Sequence, residues 1–259
     1  MTTDRRQRLL LLLNKQSRIS VAELAVILAI SPRTVSGDLR ALASEGQSVR
    51  IRGDEVLFDR AGPGRNGDSS AFRSQVNQDA KRSIARWAAG LVKNGDTILM
   101  DASTTAFNMV PFLAERRGLV VLTNGIEAGR CLAENTSNTV LLVAGVIRSD
   151  GSAVVGPLYE PVLRNRHIAA AFVSCKGFSL AAGLTEADPN EAAIKSQMVP
   201  LAQSVVALID SSKFGQVYQT PFARADQVTH IFSDDGLEPY WVQQVQDASI
   251  VLTRCPVVS

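Results

Sequence analysis

Cysteine and histidine are scarce in this sequence, and their spacing excludes several kinds of site. The three cysteines, Cys131, Cys175 and Cys255, are odd in number, far apart and without a C-x-x-C arrangement. This pattern argues against a disulfide framework and against a zinc site, and it is typical of the reducing cytoplasm. The two histidines, His167 and His230, also lack the spacing of metal ligands. We therefore expect no metal, no cofactor and a cytoplasmic location.

Long apolar runs are absent as well. No stretch approaches the ~18 consecutive apolar residues that a membrane span requires. Arginines precede the leucines at 9–13, but Asn14 and Lys15 end this run before it reaches the length of a signal-peptide core. We expect no membrane partner.

Neither sign of charge dominates, since the formal net charge is +2. The first 60 residues nevertheless hold ten of the 27 basic residues and only seven of the 25 acidic ones. Local positive charge at one end of a chain is expected where a polyanion binds. Hydrophobic residues make up 46% of the sequence, which is enough for a large core in the remainder.

The first 28 residues predict two helices. Leucines at helical spacing predict the first helix over residues 4–16. Ser20 stands three residues before Glu23, and this pair predicts a capping box at the start of a second helix over 21–28. A short turn at 29–30 then leads out of the second helix.

A third helix and a hairpin complete the segment. Ser31 and Pro32 suit the N-cap and first position of a helix that ends at Gly46, with one apolar face formed by Val35, Leu39 and Leu42. Two extended pieces, 48–51 and 56–58, flank the turn at Gly53-Asp54. Three helices and a hairpin predict a winged helix-turn-helix domain over residues 1–60.

In a helix-turn-helix, the second helix of the motif enters the major groove of double-stranded DNA. The outward residues of that helix are Arg33, Thr34, Ser36, Gly37 and Arg40. Arg50 and Arg52 of the wing are candidates for contacts with the flanking phosphates. The alternative is a small helical domain with solvated arginines.

The rest of the chain predicts a linker and a second domain. Residues 61–72 are rich in Gly, Pro, Asn and Ser and predict the linker, and one long helix is expected over 73–93. Apolar runs then recur at 97–100, 119–122, 139–143, 169–173, 205–209, 228–232 and 250–252. Helical patterns lie between most of them, at 106–116, 127–134, 157–166, 190–203 and 238–246. This alternation predicts an α/β domain over 73–259 with a mainly parallel sheet covered on both faces.

Polar residues follow several of these predicted strands. The loops beyond the carboxyl ends of parallel strands converge, so we expect a crevice for a small anionic ligand. Its candidate residues are Asp101, Ser103, Thr104, Thr105, Thr123, Asn124, Lys176, Glu191, Lys195 and Lys213. An ordinary capped helix has the same appearance at 101–105, and Glu191 and Lys195 also fit an i,i+4 surface pair.

The stretch from Ser20 to Leu39 resembles the N-terminus of DeoR-type regulators. The stretch from Gly95 to Asp101, the pair Thr123-Asn124 and the sequence Asp-Ser-Ser-Lys-Phe at 210–214 resemble the DeoR sensor domain. The resemblance implies a C-terminal domain similar to ribose-5-phosphate isomerase. It also implies a repressor of carbohydrate genes that is released by a small phosphorylated sugar. Because helix-turn-helix proteins bind paired half-sites, we expect a homodimer or a higher homo-oligomer.

The sequence departs from the family pattern at three places. Ser36-Gly37 stands where the family usually has two arginines, and Arg52-Gly53-Asp54 stands where it usually has His-Gly-Gly. Ser103 replaces the glycine of the usual Asp-x-Gly-Thr-Thr loop. The changes in the third helix and the wing are expected to alter which operator sequence is bound and how tightly. Ser103 is expected to narrow the space for a ligand.

Two other functions remain as alternatives. The first is a sugar-phosphate isomerase-like enzyme, but similar isomerases place several aspartates where this chain has Phe172 to Gly177, and a DNA-binding module has no use in an isomerase. The second is a DNA-binding protein whose larger domain serves only for dimerisation. We predict a regulator rather than an enzyme.

Overall fold

The structure is a computed structural model that describes residues 5–6, 8–9, 12–13, 18–44, 49–52, 55–58, 70–143, 145–156 and 167–257. The chain divides into two compact units, Met1–Arg73 and Ser74–Ser259. Several predictions concern positions outside the described residues: the end of the third helix at Gly46, the wing tip at 53–54, linker residues 61–69 and the helix over 157–166.

Two helices of the first unit form the helix-turn-helix motif. The described residues of the predicted first helix, at 5–6, 8–9 and 12–13, are helical. Helix α1 (Val21–Leu28) begins with the predicted capping box, in which Glu23 N donates to Ser20 Oγ over 3.0 Å and Ser20 N donates to Glu23 Oε2 over 2.8 Å. Ala29 ends α1 in the left-handed conformation. The chain then enters helix α2 (Pro32–Ser44).

A three-stranded antiparallel sheet completes this unit. Its strands are β1 (Arg18–Ser20), β2 (Val49–Arg52) and β3 (Glu55–Phe58), in the order β1-β3-β2. Strands β2 and β3 are the predicted wing, whereas β1 was not predicted. The described core of the unit consists of Leu9, Leu13, Ile19, Val21, Leu24, Ala25, Val35, Leu39 and Val56.

The prediction of one long helix over 73–93 is wrong. The chain forms two helices instead, α3 (Ser70–Gln75) and α4 (Gln78–Ala89). Asn77 separates them because its φ of 52° is left-handed and incompatible with a continuous right-handed helix.

Seven parallel strands form the central sheet of the second unit. They are β4 (Thr97–Met100), β5 (Val120–Thr123), β6 (Thr139–Leu142), β9 (Ile168–Val173), β12 (Ala202–Leu208), β14 (His230–Asp234) and β15 (Val251–Cys255). Their order is β15-β14-β12-β9-β4-β5-β6, and every neighbouring pair is parallel. Leu99 packs into one core cluster, whereas Ile98 and Met100 pack into another. The sheet is therefore covered on both faces, as predicted.

Helices and short 3₁₀ turns connect these strands. The helices are α5 (Thr104–Phe107), α6 (Val110–Leu113), α7 (Ile126–Asn135), α8 (Pro189–Met198) and α9 (Pro239–Asp247). The 3₁₀ turns are Val199–Leu201, Ser211–Lys213 and Ala225–Gln227. The single helix predicted over 106–116 is two short ones, and the helix predicted over 190–203 ends earlier because β12 begins at Ala202. Among the described residues, no helix is long and apolar enough to cross a membrane.

Five further short strands were not predicted. Strands β7 (Val146–Ile147) and β8 (Val154–Val155) form an antiparallel hairpin. Strands β10 (Gly177–Ser179), β11 (Gly183–Glu186) and β13 (Thr220–Ala223) form a small antiparallel sheet. Gly183 has a φ of 70°, and a Cβ there would lie 2.0 Å from the Ala223 carbonyl oxygen, so this sheet requires glycine at that position.

Candidate functional site

Helix α2 carries most of the predicted DNA contacts on one face. Val35 and Leu39 are fully buried in the core of the first unit. The predicted contact residues are exposed or half-buried instead: Arg33, Thr34, Ser36, Gly37 and Arg40. The helix therefore presents the predicted residues to solvent, and the contacts with DNA bases and phosphates stay a prediction.

The start of α2 is held by a side chain of the turn before it. Thr34 N donates to Ser31 Oγ over 3.1 Å, as an N-cap requires, and the hydroxyls of Ser31 and Thr34 lie 2.8 Å apart. For the predicted wing contacts Arg50 and Arg52, the structure describes the backbone in β2 but not the side chains.

Asp38 is a buried charge in α2 that the sequence analysis did not single out. Its carboxylate accepts hydrogen bonds from Arg5 Nε over 2.6 Å and Arg5 Nη2 over 3.0 Å, and Arg6 Nε lies 3.4 Å away. The hydrogen bond from Arg5 lowers the pKa of Asp38 below its ordinary value. Two of the N-terminal arginines therefore hold the first helical segment against α2.

Gly37 lies in the middle of α2 without a steric reason for glycine. A Cβ built at this position meets no atom within 4 Å among the described residues. The exposed face of the helix thus has open space where the family usually has an arginine.

In the second unit, the order of strands reverses between β4 and β9. From β4 the chain proceeds to β5 and β6 on one side, and from β9 to β12, β14 and β15 on the other. At such a switch point the connections leave the two strands toward opposite sides, so a ligand-binding crevice is expected at the carboxyl ends of β4 and β9.

Asp101 connects the two loops at this crevice. It directly follows β4, and its Oδ2 accepts a hydrogen bond of 2.8 Å from Ser174 N, directly after β9. Its Oδ1 accepts a hydrogen bond of 3.0 Å from Ser103 N. Asp101 is fully buried. Its carboxylate therefore holds the loops after β4 and β9 together from within the protein.

Lys195 of α8 is the buried cation of the crevice. Its Nζ lies 3.0 Å from Asp101 Oδ2 and donates to Glu186 Oε1 over 2.5 Å and to Ser174 O over 2.9 Å. Burial lowers the pKa of Lys195, but the charges of Asp101 and Glu186 outweigh this effect and raise it above its ordinary value. All three donors of the ammonium group are used within the protein.

Lys213 lies beside this cluster and is more accessible. Its Nζ donates to Ser174 Oγ over 3.0 Å and lies 3.4 Å from Asp210 Oδ2, and 18% of its side chain is exposed. Asp210 also accepts a hydrogen bond of 3.0 Å from Asn77 Nδ2. Burial raises the pKa of Asp210, but the charge of Lys213 and hydrogen bonds outweigh this effect and lower it.

The loops after β4 and β5 contain polar atoms that are buried and unsatisfied. Thr105 Oγ1 and Asn124 Oδ1 have no hydrogen-bond partner among the described residues. The two loops approach closely, since a Cβ on Gly125 would lie 3.3 Å from the Cα of Ala102. Buried polar atoms without a partner are rare in folded proteins, so these two oxygens are candidates for hydrogen bonds with a bound ligand or water.

The other predicted residues of these loops have structural partners. Ser103 Oγ accepts a hydrogen bond of 3.1 Å from Ala106 N and so caps α5, whose first turn contains buried Thr104. Thr123 Oγ1 accepts a hydrogen bond of 3.0 Å from Gly125 N.

Glu191 and Lys176 lie apart from the Lys195 cluster. Glu191 forms an ion pair with Arg148, on the turn of the β7–β8 hairpin, and the i,i+4 pair of Glu191 with Lys195 that the sequence left open is not formed. Lys176 is half-buried after β9, and its backbone N–H donates to Thr185 O over 2.9 Å.

The sequence analysis missed four residues with roles here: Ser174, Glu186, Asp210 and Arg148. Ser174 and Asp210 directly follow buried strands, and this position alone is a signal that could have found them. Glu186 and Arg148 belong to short strands and turns that gave no sequence pattern. In the ranges that the structure describes, no three His, Cys, Asp or Glu residues are grouped to hold a metal ion.

Comparisons with known proteins identify both units. The DeoR C terminal sensor domain matches residues 76–235, and an HTH domain matches residues 5–55. The HTH-type transcriptional regulator YulB of Bacillus subtilis is 30% identical over 99% of this chain and 98% of its own length. A putative aga operon transcriptional repressor of Escherichia coli is 24% identical over 96% of this chain and 92% of its own length.

Among solved structures, ribose 5-phosphate isomerase A of Methanocaldococcus jannaschii is similar with a TM-score of 0.41 and 18% identity. The similarity covers 53% of this chain and 55% of that one. With a sensor-domain match over most of its length and a relative of 30% identity along the whole chain, this protein belongs to the DeoR family of helix-turn-helix transcriptional regulators.

Proposed function

We propose that this regulator represses genes of carbohydrate metabolism and is released from its operator by a small phosphorylated sugar or sugar derivative. The observation that carries the effector part is the crevice between β4 and β9, where Lys213 and two unsatisfied polar atoms lie on converging loops. A relative of 30% identity, the L-fucose operon activator of Haemophilus influenzae, supports a carbohydrate regulon. A protein that acts on operator DNA works in the cytoplasm.

Different residues of the crevice have different roles in this proposal. Thr104, Thr105 and Asn124 hydrogen-bond to the effector, and Lys213 supplies positive charge for its phosphate. Asp101, Ser103, Thr123 and Lys195 hold the loops in place through the hydrogen bonds and ion pairs of their side chains within the protein. Lys176, which follows β9, and Glu191, which pairs with Arg148, make no direct contact with the effector in this proposal.

We further propose a homodimer or higher homo-oligomer, since paired half-sites require two DNA-binding units. Effector binding favours an arrangement of these units that does not match the spacing of the half-sites. Such coupling is typically worth ~1–3 kcal/mol, and DNA then weakens effector binding by the same factor. Equal effector affinities with and without operator DNA would exclude this mechanism.

The experiment is a titration of labelled DNA from upstream of the gene, at fixed salt, with and without a pool of sugar phosphates. We expect saturable binding that exceeds binding to random DNA and weakens when the pool is added. Arg33→Ala and Arg40→Ala should weaken binding to this DNA. Arg224→Ala is the matched control, because Arg224 is an exposed arginine of the second unit.

Variants in the crevice test the effector site separately. Thr104→Ala and Lys213→Ala should keep DNA binding and lose the response to the pool. A normal response in both variants would place the effector site elsewhere. No thermal shift of the wild-type protein with any sugar phosphate would favour a second unit that serves only for dimerisation.

Catalysis is not part of this proposal. An isomerase needs a carboxylate that is available as a base. Here Asp101 and Glu186 are paired with Lys195, and Glu191 is paired with Arg148. Turnover of ribose 5-phosphate that is abolished in Glu191→Gln would instead establish an enzyme.

A further inference from the structure

The β7–β8 hairpin is attached to the loop that follows β5. Val154 N donates to Asn124 O over 2.8 Å, and Asn124 Nδ2 donates to Val154 O over 3.0 Å. Ile126 N donates to Ser152 O over 3.1 Å. The same Asn124 carries a buried oxygen without a partner among the described residues, so one side of the hairpin is fixed next to a candidate ligand contact.

Arg148 attaches the other side of the hairpin to α8. Within the hairpin its Nε donates to Asp150 Oδ1 over 2.8 Å and its Nη2 donates to Ser152 Oγ over 2.9 Å. Its Nη1 forms the ion pair with Glu191, in the first turn of α8 and one turn before Lys195. The exposed fractions of the Arg148 and Glu191 side chains are only 14% and 10%. The hairpin therefore spans from the end of β5 to the helix that supplies the buried cation of the crevice.

We propose that Arg148 binds the anionic group of the effector and that Glu191 occupies the guanidinium of Arg148 only while the crevice is empty. The proposal rests on the proposed function of the crevice as the effector site. A guanidinium N–H pairs with carboxylate and phosphate alike, so Glu191 and the effector compete for Nη1 of Arg148, whose Nε and Nη2 stay paired with Asp150.

The surroundings of the pair favour such an exchange. Lys195 has all its donors occupied by buried partners, so it cannot turn to a ligand without leaving Asp101 or Glu186 unpaired. Arg148 gives up a partner at lower cost, because a released Glu191 stays in the first turn of α8, where the helix dipole stabilises a negative charge. The unsatisfied oxygens of Thr105 and Asn124 offer further hydrogen bonds at the same strand ends.

This proposal gives Glu191 a role opposite to that of an effector ligand. If Glu191 bound the effector directly, its replacement would weaken binding. If Glu191 competes with the effector for Arg148, its replacement strengthens binding of an anion. The sign of the change therefore separates the two roles.

The test uses the full-length protein and inorganic phosphate, which carries the relevant charge without depending on the identity of the sugar. Isothermal titration calorimetry compares the wild type with Glu191→Gln, Arg148→Ala and Arg148→Lys. Glu134→Gln is the matched control, because Glu134 is an exposed glutamate near the carboxyl end of α7, where it pairs with Arg130. Tryptophan fluorescence during thermal unfolding without phosphate verifies that each variant is folded.

We expect Glu191→Gln to bind phosphate about tenfold more tightly than the wild type, as removal of a charged competitor predicts. Both Arg148 variants should bind more weakly than the wild type, and Glu134→Gln should bind equally well. Unchanged or weaker binding by Glu191→Gln would overturn the proposal, and so would a complete lack of phosphate binding by this variant.

Failure of the proposed function has a different signature. If the phosphate affinities follow the expected order but no sugar phosphate releases the protein from its operator, the exchange at Arg148 stands and the proposed effector class is wrong. If sugar phosphates release the protein and Glu191→Gln behaves as the wild type, the effector class stands and the exchange is wrong.

Discussion

Asn77 and Asp210 are 133 positions apart in the sequence and are joined by a hydrogen bond of 3.0 Å between Asn77 Nδ2 and Asp210 Oδ1. Asn77 is left-handed with a φ of 52°, directly before α4. Asp210 follows β12 and pairs with Lys213 at the crevice. One contact thus connects the start of α4 to the charged groups at the strand ends.

Asn77→Ala should lower the free energy of unfolding of the second unit by about 2–3 kcal/mol. It removes a hydrogen bond to a charged group and forces alanine into the left-handed conformation. Trp87 and Trp241 both lie in the second unit, so urea unfolding monitored by tryptophan fluorescence measures this change. Asn77→Gly loses the same hydrogen bond without the strain and should cost about 1 kcal/mol less than Asn77→Ala. Equal losses would show that the backbone conformation carries no strain.

Acid should weaken the contribution of Asp210 to stability. The folded pKa of this carboxyl lies below the unfolded value of about 3.9. The folded state therefore binds fewer protons, and the contribution is complete above the unfolded pKa and is lost as the pH falls through the folded pKa. The wild type should exceed Asp210→Asn in free energy of unfolding at neutral pH, and the gap should narrow as the pH is lowered below about 4. A gap that is constant with pH would contradict the lowered pKa.

Lys195→Met should lower the free energy of unfolding by about 3–5 kcal/mol, because it leaves Asp101 and Glu186 buried without their cation. Chemical denaturation with tryptophan fluorescence measures this loss. The double variant Lys195→Met/Glu186→Gln removes one of the two orphaned charges and should recover part of the stability. If the double variant is less stable than Lys195→Met, charge burial is not the cause.

Replacing Gly37 should stabilise helix α2 and, where arginine is introduced, add a contact with the DNA phosphates. Gly37→Ala should stabilise α2 by about 1 kcal/mol, since alanine favours helix over glycine and the added Cβ meets no neighbour. Gly37→Arg should also add one phosphate contact and steepen the salt dependence of DNA binding by about one unit. Fluorescence anisotropy at several salt concentrations measures the slope. A steeper slope in Gly37→Ala as well would show that helix stability, and not the added charge, is responsible.

The strands of the central sheet were predictable because each is a short, continuous apolar run. All seven predicted runs are strands, although β12 and β14 are shifted or longer than expected. Parallel strands that are buried on both faces contain few polar residues, so a continuous apolar run is enough to predict them. The hairpin β7–β8 and the sheet of β10, β11 and β13 were missed because none of these short strands is a continuous apolar run like those of the central sheet.

The candidate crevice was only partly predictable for a different reason. Asp101 and Lys213 could be predicted from the sequence because each of them follows a predicted strand. The partners of Lys195 depend on which distant segments meet, and the i,i+4 spacing pointed to Glu191 instead of Glu186. The break at Asn77 was likewise hidden, since asparagine is compatible with a helix and its left-handed conformation depends on a tertiary contact.

Strand β1 has a consequence for what a metabolite can control. It runs directly into α1 and pairs with β3, which pairs in turn with the wing strand β2. The wing and the start of α1 are thus joined by backbone hydrogen bonds, and residues of α1, α2 and β3 share one buried core. Under the proposed function, a metabolite changes how often an operator is occupied, whereas the side chains that this unit offers to the bases are the same in the presence and absence of the signal.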